Sequence, residues 1–256
     1  MLLALDTSTS YAALALAEEG KLLAELNWQV GQRHSTALFA RLTWLLEQHG
    51  VPMAALDGIA VATGPGSFNG VRVGLATAKA LAFALGLPLY GVPTLDVIGW
   101  GAALVREPIW ALLDAGRGQI YAAEYATREP LAAGWAPVDG YHILTPEEVA
   151  ARVTQPVVFC GEWRDETYSA LQQALGAKAR FTATLAPRRG GWLVELAQAR
   201  AAAGRQDDPA ALEPLYLRRP AITTSTRVAL PEARQTRSDP ARNTPGGEGA
   251  PHALQR

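Results

Sequence analysis

The sequence has little of what disulfide-bonded, exported or membrane-spanning proteins need. Among its 256 residues there is one cysteine, Cys160, so no disulfide can form within the chain. The longest apolar stretches are interrupted by glycine, proline or charged residues before they reach the length of a membrane span. No cationic segment followed by an apolar stretch and a cleavage site opens the chain. We therefore expect a cytoplasmic protein with no membrane attachment.

Excess positive charge and paired histidines are also lacking. With 23 Lys and Arg against 24 Asp and Glu, the formal net charge is −1, which argues against the broad basic surface of a protein that binds nucleic acid on its own. The four histidines show no metal-ligand spacing, so we expect no metal site. The remaining composition, 49% hydrophobic and 18% charged residues, is typical of a globular chain of one or two domains.

The most informative segment is the glycine-rich run GPGSFNGVRVG at residues 64–74. It follows an apolar run at 59–62 and precedes an alanine-rich segment, so the glycines lie where a buried strand turns into a helix. Ser67 or Asn69 can cap that helix, and its free N–H groups would suit an anion. Gly66 and Ser67 are therefore candidate anion contacts, although a tight connection without a ligand explains the pattern equally well. Both common phosphate motifs fail, because no lysine follows the glycines and Asn69 stands where a dinucleotide fingerprint needs glycine.

The order of predicted elements divides the chain into two lobes and a tail. A hairpin around residues 19–20 opens the first lobe, which alternates strands and helices and extends over residues 1–107. A smaller α/β lobe is predicted for residues 108–220, after a charged break. From residue 221 to 256 the apolar periodicity ends and Ser, Thr, Arg, Pro and Gly dominate, so we predict a disordered tail.

A polar group follows the first predicted strand. Asp6, Thr7 and Ser8 follow a short buried strand, and a carboxylate with hydroxyls at such a strand end could contact phosphate and its metal, so they are candidate nucleotide or anion contacts. The competing interpretation is an Asx-type turn that leads into the hairpin.

Other polar and aromatic residues have structural interpretations. The neighbours His34 and Ser35 have the composition of a base and a nucleophile, but adjacent side chains at a helix start diverge, so capping and an interface role are favoured. Asp114 and Arg117 are predicted to form a local ion pair in an exposed turn, with contact to nucleotide or a partner as the alternative. Four tryptophans in apolar contexts are predicted to be core residues: Trp44, Trp100, Trp110 and Trp192.

Several separated motifs resemble the TsaB (YeaZ) family. In chain order they are LLALDTST at 2–9, His34-Ser35, GPGSFNGVRVG at 64–74, LDAGRGQIYAA at 113–123 and PLYLR at 214–218. The resemblance covers residues 1–220. It implies the two-lobed actin-like, sugar-kinase and Hsp70 (ASKHA) fold, and a non-catalytic subunit that supports the paralogous transferase TsaD. TsaD places a threonylcarbamoyl group on the adenine beside the anticodon of certain tRNAs, with the ATPase TsaE in the same complex.

The resemblance also implies where the partner binds and what this chain lacks. The helices at residues 35–49 and 70–85 would form a four-helix interface with TsaD, or a homodimer when the chain is alone. The predicted interface residues are Ser35, Leu38, Leu42, Leu45, Val71, Leu75, Ala78 and Ala82. The paralogue carries a His-x-x-x-His metal pair on the helix where this chain reads TLDVIGWGA. We therefore expect this chain to have no catalytic residue and no cofactor of its own. ATP or ADP is expected only at the joint between the subunits, and contact with tRNA only through the partner.

Two departures and two alternatives stay open at this point. Asn69 and Gly116 stand where the family commonly has threonine and arginine, which puts the helix cap and any anion contact of the second lobe in question. An ATPase or small-molecule kinase of the same fold would use Asp6 for a metal-bound phosphate. A peptidase ranks lowest, because no nucleophile, base and orienting group are identifiable together.

Overall fold

The computed structural model describes residues 1–30, 34–126, 134–182 and 190–218, with the backbone alone for residues 34–37. The tail predicted to be disordered lies outside the described residues. The strands are β1 (Leu2–Asp6), β2 (Tyr11–Glu18), β3 (Lys21–Gln29), β4 (Gly58–Ala62), β5 (Leu89–Val92), β6 (Ile109–Gly116), β7 (Gln119–Tyr125), β8 (His142–Leu144), β9 (Val157–Glu162) and β10 (Ala179–Phe181). The helices are α1 (His34–Gln48), α2 (Phe68–Leu85), α3 (Thr94–Trp100), α4 (Pro146–Arg152), α5 (Asp165–Leu175) and α6 (Gly190–Ala202).

The ten strands form two five-stranded sheets of the same design. In the first, with the order β3-β2-β1-β4-β5, an antiparallel β1-β2-β3 meander continues into the parallel strands β4 and β5. In the second, with the order β10-β9-β6-β7-β8, an antiparallel β6-β7-β8 meander continues into the parallel strands β9 and β10. The described chain thus contains one sheet topology twice, which confirms the predicted two-lobed α/β architecture.

Local sequence chemistry explains the opening hairpin. Glu19 and Gly20 have φ values of 47° and 80°, and two successive positive φ angles suit the two-residue turn that joins twisted antiparallel strands. The predicted hairpin is therefore confirmed. Strands β8 and β10, at three residues each, were not predicted, because such short segments carry no measurable alternation.

Both faces of the first sheet are covered. Alternate residues of a strand point to opposite faces, and Leu3 and Leu5 of β1 join α1 and α2 in one core while Leu2 and Ala4 join α6 in another. Small side chains let α6 approach closely, since a Cβ on Gly190 would meet the Cβ of Ala15 at 2.8 Å.

The second sheet is also covered on both faces. One core contains Val149 of α4 and Leu171 of α5, and the other contains Leu95 and Ile98 of α3. Helix α6, which falls within the range predicted for the second lobe, packs on the first sheet. The division at residue 107 lies between the strands of the two sheets and otherwise stays a prediction. No helix among the described residues is both long and apolar enough to cross a membrane.

Candidate functional site

A cleft with a volume of about 460 Å³ opens where loops from both sheets meet. Its lining includes Thr9, Gly66, Ser67, Asp114, Glu162 and Arg164. These residues follow or end β1, β4, β6 and β9, which are the equivalent strands of the two sheets. Open α/β sheets bind ligands outside the carboxyl ends of such strands, so this cleft is the candidate ligand site.

The loop after β1 begins with buried residues and reaches the cleft at Thr9. Asp6 Oδ1 accepts hydrogen bonds from the backbone N–H of Ser8 at 2.9 Å and from its hydroxyl at 2.6 Å. This is the geometry of an Asx-type turn. Asp6, Thr7 and Ser8 are all buried and are not among the residues that line the cleft. Their contact with an anion or nucleotide stays a prediction, and it would require access through this buried turn.

Two glycines, one just before α2 and one in its first turn, let the start of the helix pack directly against the backbone of the β1 loop. The Thr7 hydroxyl donates to the carbonyl of Gly70 at 2.7 Å, inside the first turn of α2. A Cβ on Gly70 would overlap the carbonyl oxygen of Thr7, and a Cβ on Gly66 would overlap that of Ser8. A side chain at either position would therefore push the β1 loop away from the start of the helix.

A serine side chain caps the start of α2. Ser67 Oγ accepts the N–H of Gly70 at 3.3 Å, whereas Asn69 is exposed, so the cap is Ser67 and the departure at Asn69 leaves it intact. Gly66 and Ser67 both line the cleft. They are the two of the five predicted anion contacts that lie on the surface of the cleft; Asp6, Thr7 and Ser8 do not.

The opposite wall of the cleft carries carboxylates. Asp114 Oδ1 accepts the N–H of Gly116 at 3.1 Å, and Oδ2 accepts Arg164 Nε at 2.9 Å. The predicted local ion pair between Asp114 and Arg117 is therefore wrong. Asp114 pairs with Arg164 instead, because the strand β9 brings this distant arginine to the turn. Across the cleft, the Thr9 hydroxyl donates to Glu162 at 3.0 Å.

One buried polar cluster was not singled out from the sequence. Asp96 of α3 accepts the hydroxyls of Tyr125 at 2.7 Å and Tyr141 at 2.8 Å on the same oxygen, Oδ1. Trp135 donates its indole N–H to the backbone carbonyl of Asp96 at 3.0 Å and stacks on the Tyr125 ring. Burial raises the pKa of Asp96 to about 6, and the two hydroxyls and nearby Arg200 oppose that rise. The cluster ties α3 to the second sheet.

The residues predicted to form a partner interface need correction. Seven of the eight are buried in this chain: Leu38, Leu42, Leu45, Val71, Leu75, Ala78 and Ala82. Six of them belong to the core beneath α1 and α2, because an amphipathic helix places its apolar face against its own sheet first. The eighth, Ser35, lies in α1, but its side chain and that of His34 fall outside the described part of the chain.

The outward sides of α1 and α2 nevertheless carry large apolar side chains. Phe39 and Trp44 of α1 are 54% and 50% exposed, and Phe83 of α2 is 86% exposed. Phe68, also exposed, lies under the guanidinium of Arg72 at 4.9 Å. The prediction of Trp44 as a core residue is wrong, because its helix turns it to the solvent side. Trp110, by contrast, is fully buried as predicted.

Two observations concern metal-binding and thiol groups of the described residues. Within them, no group of three or more His, Cys, Asp or Glu side chains is placed to hold a metal ion. Cys160 is buried, and burial raises the pKa of its thiol to about 12.

The family profile and the curated relatives both carry names that refer to threonylcarbamoyl modification of tRNA, although the profile is named for TsaD and the relatives for TsaB. A family profile described as "TsaD: tRNA N6-adenosine threonylcarbamoyltransferase" matches residues 29–223. The tRNA threonylcarbamoyladenosine biosynthesis protein TsaB of Bacillus subtilis is 30% identical over 177 residues, which are 69% of this chain and 77% of that protein. The Escherichia coli protein of the same name is 32% identical over 164 residues, 63% of this chain and 68% of that protein. The solved structure of YeaZ from Pseudomonas aeruginosa, 29% identical, matches with a TM-score of 0.72 over 84% of this chain and 99% of that one.

Proposed function

The chain belongs to the TsaB (YeaZ) family, and from this premise we propose that it is the partner subunit of a TsaD-type transferase in tRNA threonylcarbamoyladenosine biosynthesis. In this proposal it binds and supports the catalytic paralogue, meets tRNA only through it, and works in a complex that includes a TsaE-type ATPase. Without the partner, the same surface would form a homodimer.

The observation that carries the proposal is the outward side of α1 and α2. Phe39, Trp44 and Phe83 expose apolar area on two neighbouring helices, and exposed apolar patches on soluble proteins commonly mark interaction sites. Aromatic side chains of this kind dominate the binding energy of protein interfaces. Two helices of a paralogue with the same apolar outer side would complete a four-helix contact.

The non-catalytic role rests on the residues of α3 and of the cleft. The helix that bears the paralogue's His-x-x-x-His pair contains no histidine here, since it reads Thr94–Trp100 as TLDVIGW. In the cleft, Asp114 and Arg164 are paired with each other, so their charges are used to join β6 to the end of β9. We infer that catalysis depends on the partner.

Charged substitution of Phe83 tests the proposed surface. Phe83→Glu should weaken binding to a co-purified TsaD-type partner at least about tenfold, because a carboxylate would be buried against apolar helices. Leu104→Glu is the matched control, because Leu104 is 92% exposed and belongs to neither helix. Binding is measured by titration calorimetry, and threonylcarbamoyladenosine by mass spectrometry of digested tRNA from complemented cells. Equal binding by both variants would contradict the proposed surface, and modification of tRNA by the isolated chain would contradict the non-catalytic role.

An ATPase or kinase is the second candidate, and the cleft favours it by position and by size. Its volume of about 460 Å³ is in the range of small-molecule sites. Against it, the charged residues of the lining are Asp114, Glu162 and Arg164, whose net negative charge would repel triphosphate oxygens unless further cations were supplied. We therefore expect ATP or ADP to bind at the joint with the partner rather than to the isolated chain. Calorimetry with ATP and magnesium decides this, since tight binding and hydrolysis by the chain alone would favour the enzyme.

A further inference from the structure

The last described segment, residues 212–218, runs from the outer side of α2 to the cleft. We propose that this segment is a strap that couples the outer face of α2 to the loop of the second sheet that lines the cleft. Each end and the middle of the strap make contacts that can be tested one at a time.

Two contacts hold the strap against α2, one made by a lysine and one by a pair of aromatic rings. Lys79 Nζ donates to the carbonyl of Leu212 at 3.0 Å, and the rings of Phe68 and Tyr216 lie 5.5 Å apart between centroids. These residues also line a groove with a volume of about 440 Å³ beside α2. The strap therefore forms one wall of a groove whose other wall is the helix.

The middle of the strap contacts the turn that starts α2. The N–H of Leu215 donates to the carbonyl of Thr63 at 2.8 Å, and the carbonyl oxygen of Leu215 lies 3.2 Å from where a Cβ on Gly64 would stand. The same turn continues into Gly66 and Ser67, which line the cleft. A shift of the strap would therefore be felt at the glycine turn.

The far end of the strap holds the turn between β6 and β7. Arg218 Nη1 donates to the carbonyl of Ala115 at 3.1 Å, and Nη2 donates to Gln119 Oε1 at 2.5 Å. A guanidinium that donates two hydrogen bonds in a fixed fork fixes orientation as well as distance. Because Asp114 and Ala115 of this turn line the cleft, Arg218 joins the first sheet's surface to the cleft wall of the second.

The consequence is a chain of contacts through residues 212–218 that joins two surfaces of the molecule. Whatever presses on α2 beside Phe68 and Tyr216 moves the strap, and the strap moves the turn that bears Asp114. If a partner docks on the outer side of α2, the cleft would respond; that last step rests on the proposed function. The coupling itself does not, because both of its ends lie in this chain.

Hydrogen exchange of the full-length protein, measured by mass spectrometry, tests the coupling without any partner. In Arg218→Met, peptides covering residues 111–121 should exchange about tenfold faster, since two hydrogen bonds of a charged donor are lost. Tyr216→Ala removes the ring contact between the strap and Phe68 of α2 and should accelerate the same peptides about threefold. In the double variant Tyr216→Ala should add nothing, because the path is already cut at Arg218.

The controls separate coupling from general loss of structure. Arg106→Met removes an exposed cation outside the strap and should leave residues 111–121 at the wild-type rate, and peptides of α4 and α5 should stay protected in every variant. If Arg218→Met loses protection throughout, Arg218→Lys replaces it. Lysine keeps the charge but has a single donor nitrogen in place of the two that Arg218 uses, so it should show a smaller acceleration. Wild-type exchange of the turn in Tyr216→Ala, or additive effects in the double variant, would overturn the proposal. Neither outcome bears on partner binding, which the Phe83 variant tests separately.

Discussion

Replacing Asp96 by asparagine should change how the stability of the protein depends on pH. Burial raises the pKa of Asp96 from 3.8 to about 6. Because the native state holds this proton more tightly than the unfolded chain does, the free energy of unfolding falls as the pH rises from about 4 to about 6. The difference between the two pKa values corresponds to about 3 kcal/mol of unfolding free energy. This contribution is lost completely only above the native pKa.

Asparagine has the shape of the protonated acid but does not ionise. Its oxygen can accept the hydroxyls of both Tyr125 and Tyr141, which donate to the same Oδ1 of Asp96. We therefore expect Asp96→Asn to match the wild type near pH 4 and to exceed its free energy of unfolding by up to about 3 kcal/mol at pH 7. Tyr141→Phe removes a hydrogen bond that lowers the pKa of Asp96, so the fall in stability should extend to higher pH.

Urea unfolding at several pH values between 4 and 8 measures these differences, with tryptophan fluorescence as the signal because Trp135 contacts the cluster. Carboxylates elsewhere titrate in both proteins, so the difference between wild type and Asp96→Asn isolates Asp96. A difference that stays constant across this pH range would refute the reasoning. So would an asparagine variant that is less stable than the wild type at pH 7 and equal to it at pH 4.

Burial and close packing make three further predictions. Leu75→Ala should lower the free energy of unfolding by about 2–5 kcal/mol, because Leu75 is buried. Phe83→Ala should change it by less than about 0.5 kcal/mol, because Phe83 is exposed. Urea titration compares the two variants, and equal losses would contradict the assigned faces of α2. Gly70→Ala should lower the melting temperature more than Gly86→Ala. A Cβ on Gly70 meets the Thr7 carbonyl, whereas Gly86, at φ 66°, has open space around it. The reverse order would contradict the close approach of Gly70 to the β1 loop. The buried thiol of Cys160 should react with a disulfide reagent only as fast as the fold opens, and rapid reaction of the folded protein would contradict its burial.

Local chemistry was enough to predict much of the fold. The hairpin at Glu19 and Gly20, the strand-to-helix turn at Gly66, and the helices α4 and α5 each depend on residues that are neighbours in the sequence. Helix α6 was predicted as an element, but its packing on the first sheet was not, because nothing local records which sheet a helix returns to.

The side-chain sites were harder to predict, for two physical reasons. The Asp96 cluster joins residues that lie 29 and 45 positions apart, and only the fold brings them together. In α2 nearly every position is small or apolar, so periodicity reveals an apolar stripe without saying whether a core or a partner covers it. The leucines predicted for the partner turned out to be core residues. The one available signal was an aromatic residue outside the leucine stripe, such as Phe83 or Trp44.

The two sheets share one topology, yet the loops at their common cleft are held by the chain's own groups. Asp6 accepts from Ser8, Thr7 donates to Gly70, and Asp114 pairs with Arg164. A scaffold of this shape could turn the same groups toward a ligand, but here these groups bond to other parts of the chain. Large apolar side chains, by contrast, face outward on α1 and α2. Polar groups committed inward stiffen a docking surface and reduce the ordering cost of binding. We therefore expect mutations in the β1 loop, such as Thr7→Val, to weaken partner binding through α2 without touching the partner.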